Sequence, residues 1–189
     1  MDFNDSKSEI WRPDGDVEDH IAPGIVKRNR GGIEVCGTPV GTNAFISQFM
    51  QAKIASYDRL HQRTRQMEDT QAQYLALRYA TCCNLNHWLR TAPPELMRDH
   101  AAVYDNETLE TLQSMLGIDT ANGPGMTDEE ILQARLHVKL GGLGLTSAEA
   151  VMEAAWVGSW GLTKDLVKDN ISKLPSKGHG LLDNISTRS

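Results

Sequence analysis

The sequence predicts a mainly α-helical protein with a short β segment at its N-terminal end. Three observations lead there. Beyond Thr42, apolar residues recur at intervals of three and four, the period of one helix face. Helix start and stop signals punctuate the same region: Thr127 with Glu130, Thr146 with Glu149, the pair Pro93-Pro94, and Gly117. The first 41 residues instead carry short alternating runs between glycine-rich turns, the pattern of strands.

In chain order, Ser8-Glu9-Ile10-Trp11 reads as a strand closed by Arg12-Pro13-Asp14-Gly15. A polar connection with Lys27, Arg28 and Arg30 leads to a second strand, Ile33 to Cys36, which runs out into the turn Gly37-Thr38-Pro39-Val40-Gly41. Two strands alone are marginal in water, so this segment reads as the end of a larger sheet. From Thr42, the stripe Ile46, Met50, Ile54, Tyr57 and Leu60 predicts a first helix. Lys53, Arg59, Arg63 and Arg65 lie off that stripe, mostly toward the end where the helix dipole favours cations. A second helix is predicted over 69–91, central because Ala72, Leu75, Ala76, Tyr79, Cys82, Cys83 and Leu89 fill most of its circumference. Pro93-Pro94 stops it, and Pro94 can open the next helix at its first position. That helix carries Leu96, Met97, Ala101 and Tyr104; a break near Asp105 starts a fourth with Leu109, Leu112 and Leu116, ended by Gly117. Capping boxes at Thr127–Glu130 and Thr146–Glu149 predict helices over 128–137 and 147–160.

Composition excludes several classes. Apolar residues make up 40% of the 189 and charged residues 23%, as in globular proteins rather than disordered ones. No stretch reaches the roughly 18 to 20 apolar residues that span a bilayer. The acidic start MDFNDSKSEIW lacks the order of a signal peptide, so an intracellular location is expected, nucleus and cytoplasm left open. Cys36, Cys82 and Cys83 offer no paired framework and no CxxC; they read as reduced, small core residues. The net charge of −6 is uneven. Residues 1–20 hold seven acidic against two basic side chains, 21–100 hold six against ten, and 101–189 hold twelve against seven. Only the middle has an electrostatic reason to approach a polyanion, and its excess is mild.

Chemical motifs are sparse. Gly141-Gly142-Leu143-Gly144-Leu145 lacks the third glycine of a dinucleotide fingerprint, since position 147 is Ser147, and it lacks the Lys-Ser/Thr of a phosphate loop. It reads as a tight connection between helices. The six histidines are dispersed, without HExxH, and His87-Trp88 reads as a boundary between helix surface and core. The N-terminal carboxylates lack the order of a calcium loop. No small-molecule ligand or metal site is evident.

Three patches are specific in wording: Gly32-Ile33-Glu34-Val35-Cys36-Gly37-Thr38-Pro39-Val40-Gly41, Leu89-Arg90-Thr91-Ala92-Pro93-Pro94, and Leu140-Gly141-Gly142-Leu143-Gly144-Leu145-Thr146-Ser147-Ala148. In that order, with Gly158-Ser159-Trp160 behind them and Asn4-Asp5-Ser6-Lys7-Ser8-Glu9 ahead, they resemble the region just downstream of the catalytic motifs in reverse transcriptases of non-LTR (LINE-like) retrotransposons. The family's counterparts are an "N..KSE" segment, an "LGxPIG"-like strand, an "LRxxPP"-like corner and an "LGGLGLRSA"-like stretch with an "ASW"-like end. The resemblance covers roughly residues 3 to 162. Cys36 stands where the family usually has Leu, His137 where it often has Pro, and Thr146 where Arg is common, which removes one phosphate contact. It implies a palm-end remnant at 1–41 and a helical thumb-like domain at 42–174; the run with Pro175, Ser176, Lys177, Gly178 and Gly180 reads by its composition as a flexible tail at 175–189. The intact family would use Mg, held by aspartates that include a Tyr-x-Asp-Asp hairpin; no Asp-Asp dipeptide occurs in this sequence, and the match begins after those motifs. Nucleotide addition is therefore not expected from this chain.

By resemblance only, Lys7 matches the lysine that closes the palm, and Arg90 the "LRxxPP" arginine, read as structural in the first place. The leading expectation is an inactive piece of an RNA-directed DNA polymerase that binds an RNA–DNA duplex weakly through Lys53, Arg59, Arg63, Arg65 and Arg90. The alternative is a helical protein-interaction module without a nucleic-acid role. A third, unrelated catalysis through cysteine or histidine, would require activity that Cys82→Ser abolishes. The unpaired strand edges carry a prediction of their own: a peptide of residues 1–41 alone should aggregate or show no amide protection by hydrogen exchange.

Overall fold

The computed structural model describes residues 8–13, 25–27 and 31–172. The expectations for Lys7, for most of the acidic N-terminal stretch and for the tail at 175–189 fall outside them. The protein is mainly α-helical; among the described residues four short strands precede six α-helices. No described helix is long and apolar enough to cross a membrane.

Strand β1 (Glu9–Ile10) pairs in parallel with β2 (Val26–Lys27), within what reads as a polar connection. Strands β3 (Gly32–Val35) and β4 (Thr38–Gly41) form an antiparallel hairpin. The sequence pattern places a strand at Ile33–Cys36 and a turn over Gly37–Gly41; instead the chain reverses within two residues, and Thr38–Gly41 is a strand. Cys36 and Gly37 both have positive φ, 49° and 80°, the two-residue turn whose twist matches that of paired strands. Pro39 is tolerated in β4 because it faces Glu34 in the pair beyond the loop-closing one, where its missing N–H points away from β3.

Helix α1 (Asn43–Arg65) starts at Thr42, whose hydroxyl accepts from the Phe45 N–H. It buries Ile46, Met50 and Ile54, and then His61 and Thr64, so a histidine and a threonine continue the apolar stripe. The single helix expected over 69–91 is broken. Helix α2 (Thr70–Leu75), capped by Asp69, passes into a π-helical segment Ala76–Thr81, then a turn, then α3 (Asn86–Thr91). Each π-type bond spans one extra residue, as in Cys82 N–H to Leu77 carbonyl, and this rotates the following side chains relative to an α-helix. The buried set becomes Gln73, Leu77, Thr81, Cys82, Leu85, Trp88 and Leu89, while Leu75, Tyr79 and Cys83 face solvent. Of the three cysteines only Cys82 is a core residue; Cys36 and Cys83 are exposed, and all three are free thiols.

Helix α4 (Pro94–Met115) is continuous, with Pro94 in its first turn and no break at Asp105. Gly117, at φ 70°, ends it: the Gly117 and Ile118 amides bond back to the carbonyls of Ser114 and Gln113. Helix α5 (Asp128–Arg135) carries the expected capping box of Thr127 and Glu130. A 3₁₀ turn (Val138–Leu140) and the glycine run then lead to α6 (Ala148–Ser172), longer than the expected 147–160. Within the run, Gly141 and Gly144 have positive φ, and a Cβ on Gly142 would collide with the Leu136 carbonyl. The run is a tight connection between helices.

The second expected capping box does not form. Thr146 is exposed, and Ser147 caps α6 by accepting from the Ala150 N–H. The missing acceptor comes from α4. Buried Asp105 takes hydrogen bonds from Ser147 Oγ, from the Ala148 N–H at 2.8 Å and from the Glu149 N–H at 3.3 Å, and Arg135 of α5 approaches it at 3.7 Å. Around this joint lie two cores. One is built from α1, α3, α4 and α6 and includes Met50, Trp88, Leu89, Met97, Tyr104 and Met152. The other comprises Leu77, Cys82, Leu112, Ala134 and Leu145. Beyond Ala155, α6 exposes Val157, Leu162 and Leu166.

Replacing Asp105 by Ala should lower the unfolding free energy by about 2–4 kcal/mol, the sum of a lost cap and buried donors left unpaired. Asp105→Asn should lose roughly half as much, read from urea denaturation followed by circular dichroism.

Candidate nucleic-acid interface

The five described cations named from the sequence do not share one surface. An α-helix turns about 100° per residue, so Arg59 and Arg63 stand on adjacent turns of one face of α1, and both are exposed. Lys53 lies toward one flank, half-buried, with Nζ 5.1 Å from the centre of the Phe49 ring. Arg65 lies on the opposite flank, against α4. Its Nη2 pairs with Glu107 at 2.8 Å and Glu110 at 3.6 Å, and its Nε donates to Thr111 Oγ1. A charge held this way is already neutralised, so a phosphate would have to displace two carboxylates to reach it. Arg90 is exposed on α3 and makes no hydrogen bond or ion pair in the described structure. The cationic surface reduces to Arg59 and Arg63, with Lys53 on its flank.

Under Arg65 the sequence reading missed a buried polar network. His61 is 1% exposed, with Nδ1 2.9 Å from Thr111 Oγ1. The Thr111 hydroxyl gives its one hydrogen to the Glu107 carbonyl and accepts from Arg65. His61 Nδ1 is therefore the donor to Thr111, and the proton of the neutral ring sits there. Nε2 is left as a buried lone pair without a partner, beside the Tyr104 ring at 5.4 Å. Tyr104 in turn donates to the Thr81 carbonyl and accepts from Asn84, and Tyr57 stacks edge-on against it. The signal for His61 was its place seven residues after Ile54 on the same stripe, legible only by letting a histidine count as core.

Other candidate chemistry does not assemble. Burial pushes the Cys82 thiol up to about 12, far from the range of a nucleophilic thiolate. Among the described residues no group of three or more His, Cys, Asp or Glu side chains converges to hold a metal ion. His87 sits at the surface and Trp88 in the core, the boundary that the sequence indicates. No protein-family model matches the chain, and neither a curated protein nor a solved structure is significantly similar to it.

Burial holds the His61 pKa below the usual imidazole value, opposed by Glu107 and aided by Arg65, and burial lowers His100 in the same direction. The unfolded chain thus takes up these protons first, so stability is complete above about pH 6.5 and falls as the pH drops through and below it. The urea midpoint should be lower at about pH 5.5 than at about pH 7.5, and His61→Phe should shrink that difference.

Proposed function

We propose that this chain is the palm-end and thumb-like part of a reverse transcriptase of the non-LTR retrotransposon kind, without nucleotide-adding capacity of its own. Its residual property is weak binding of an RNA–DNA duplex by the outward face of α1. One observation carries the reading: the motif patches that suggested the family, far apart in sequence, pack together. Trp88 Nε1 donates to the Gly37 carbonyl at 2.8 Å. Thr38 Oγ1 donates to Thr91 Oγ1 at 3.1 Å and is 3.1 Å from His87 Nε2. Ala92, from the Pro-Pro corner, shares one core with Ala148 and Met152 behind the glycine run. Hairpin turn, helix corner and glycine connection thus support one another, as parts of one ancestral unit would.

A second reading, a helical protein-interaction module without a nucleic-acid role, is favoured by the neutralisation of Arg65 and the carboxylates around it.

The readings separate on a labelled RNA–DNA hybrid titrated by fluorescence anisotropy at several salt concentrations. Duplex binding through Arg59, Arg63 and flanking Lys53 gives a log–log salt slope of about −2 to −3. Arg59→Ala/Arg63→Ala should remove most of that slope and of the affinity. Absence of salt-dependent binding, or a weak residual affinity that the double variant leaves unchanged, selects the interaction module.

A further inference from the structure

On another side of α1 from Arg59 and Arg63, a groove of about 560 Å³ opens between α1 and α4. Its rim carries four carboxylates, Asp58 from α1 and Glu95, Asp99 and Glu107 from α4, and no lysine or arginine lines it. Glu107 is engaged by Arg65; Asp58, Glu95 and Asp99 are exposed and form no ion pair in the described structure. Ile54 and Leu96 give the floor apolar surface.

A second feature is independent of the charge. His100 lines the same groove, is only 8% exposed, and has no hydrogen-bond partner among the described residues. Unlike Nε2 of His61, its ring nitrogens are not sealed from solvent, and the groove is the opening they face. Burial keeps this imidazole neutral more readily than a free one, so it offers an acceptor lone pair to an incoming donor.

We propose that the groove between α1 and α4 docks a cationic amphipathic helix of a partner protein. The charge decides the occupant. A nucleic-acid backbone would meet three uncompensated carboxylates, whereas lysine or arginine side chains find acceptors on both walls. The spacing decides its form. Glu95, Asp99 and Glu107 sit at multiples of four along α4, a ridge about 18 Å long. A helix laid beside it presents cations at the same four-residue interval, with an apolar side chain over Ile54 and Leu96. The inference stands apart from the duplex reading, because the two surfaces lie on different sides of α1 and share no residue.

The test uses the full chain and three synthetic peptides read by fluorescence anisotropy: a helix with lysines at four-residue spacing flanking leucines, the same helix with glutamate for lysine, and the basic composition scrambled to remove the amphipathic face. The lysine helix should bind, weakening with salt, and the other two should not. Asp58→Asn/Asp99→Asn, at exposed positions that leave the fold intact by circular dichroism, should weaken it roughly tenfold. The Arg59→Ala/Arg63→Ala variant should bind it unchanged. Equal binding of acidic and basic helices, an unaffected carboxylate variant, or no binding of the lysine helix would each overturn the proposal. A labelled RNA–DNA duplex whose direct binding changes in the Asp58→Asn/Asp99→Asn variant but not in the Arg59→Ala/Arg63→Ala variant would assign the groove to nucleic acid and overturn it as well.

Discussion

The joint at Asp105 is what the rest of the helical structure depends on. A helix N-terminus leaves backbone N–H groups without partners and carries a partial positive charge. Here the compensating carboxylate comes from the middle of another helix, 43 residues upstream of Ala148. One side chain therefore satisfies the α6 donors, fixes the angle between α4 and α6, and draws Arg135 of α5 toward the same point. Because the joint is buried, its geometry is set by packing on both sides. The larger core lies on one side and the Leu77–Leu112–Leu145 cluster on the other.

The same joint explains where sequence reading worked and where it did not. The capping box at Thr127 was legible because all its partners lie within four residues. An identical local signal at Thr146 failed because a distant acceptor out-competed it, and nothing near Thr146 announces Asp105. Read locally, Asp105 looked like a helix start; its side chain does cap a helix, but a different one. The apolar stripe of α1 was plain, yet the π-helical segment after Leu75 was not, since one extra residue in a turn shifts every later position while leaving the composition helical. The β3–β4 turn was hidden because Cys36 stands where a turn with positive φ usually has Asn, Asp or Gly.

The candidate binding surfaces were legible in the same uneven way. Four cations on one predicted helix suggested one basic face, but position around a helix matters as much as position along it. Arg65 lies two residues from Arg63, which places it on the far flank, where Glu107 and Glu110 are waiting. Helix α1 is thereby divided between a basic outward face and a wall of an acidic groove. The groove itself was written in α4, in the interval from Glu95 to Asp99 to Glu107, and became visible only once Asp58 of α1 was brought opposite. A mild net charge in the middle of the chain conceals two surfaces of opposite sign.

The extension of α6 has a mechanical consequence. The helix is held at its first turns by Asp105 and by the packing of Ala148 and Met152, while farther along Val157, Leu162 and Leu166 are exposed, Leu162 at 88%. The packed turns of α6 run to Ala155, so any bend of the exposed stretch turns about that point and not about the cap. From Trp156 to Ser172 is about 24 Å of helix, so a bend of about 10° just beyond Ala155 would carry Ser172 through about 4 Å. A small bend there, outside the packed turns, is magnified along the exposed stretch.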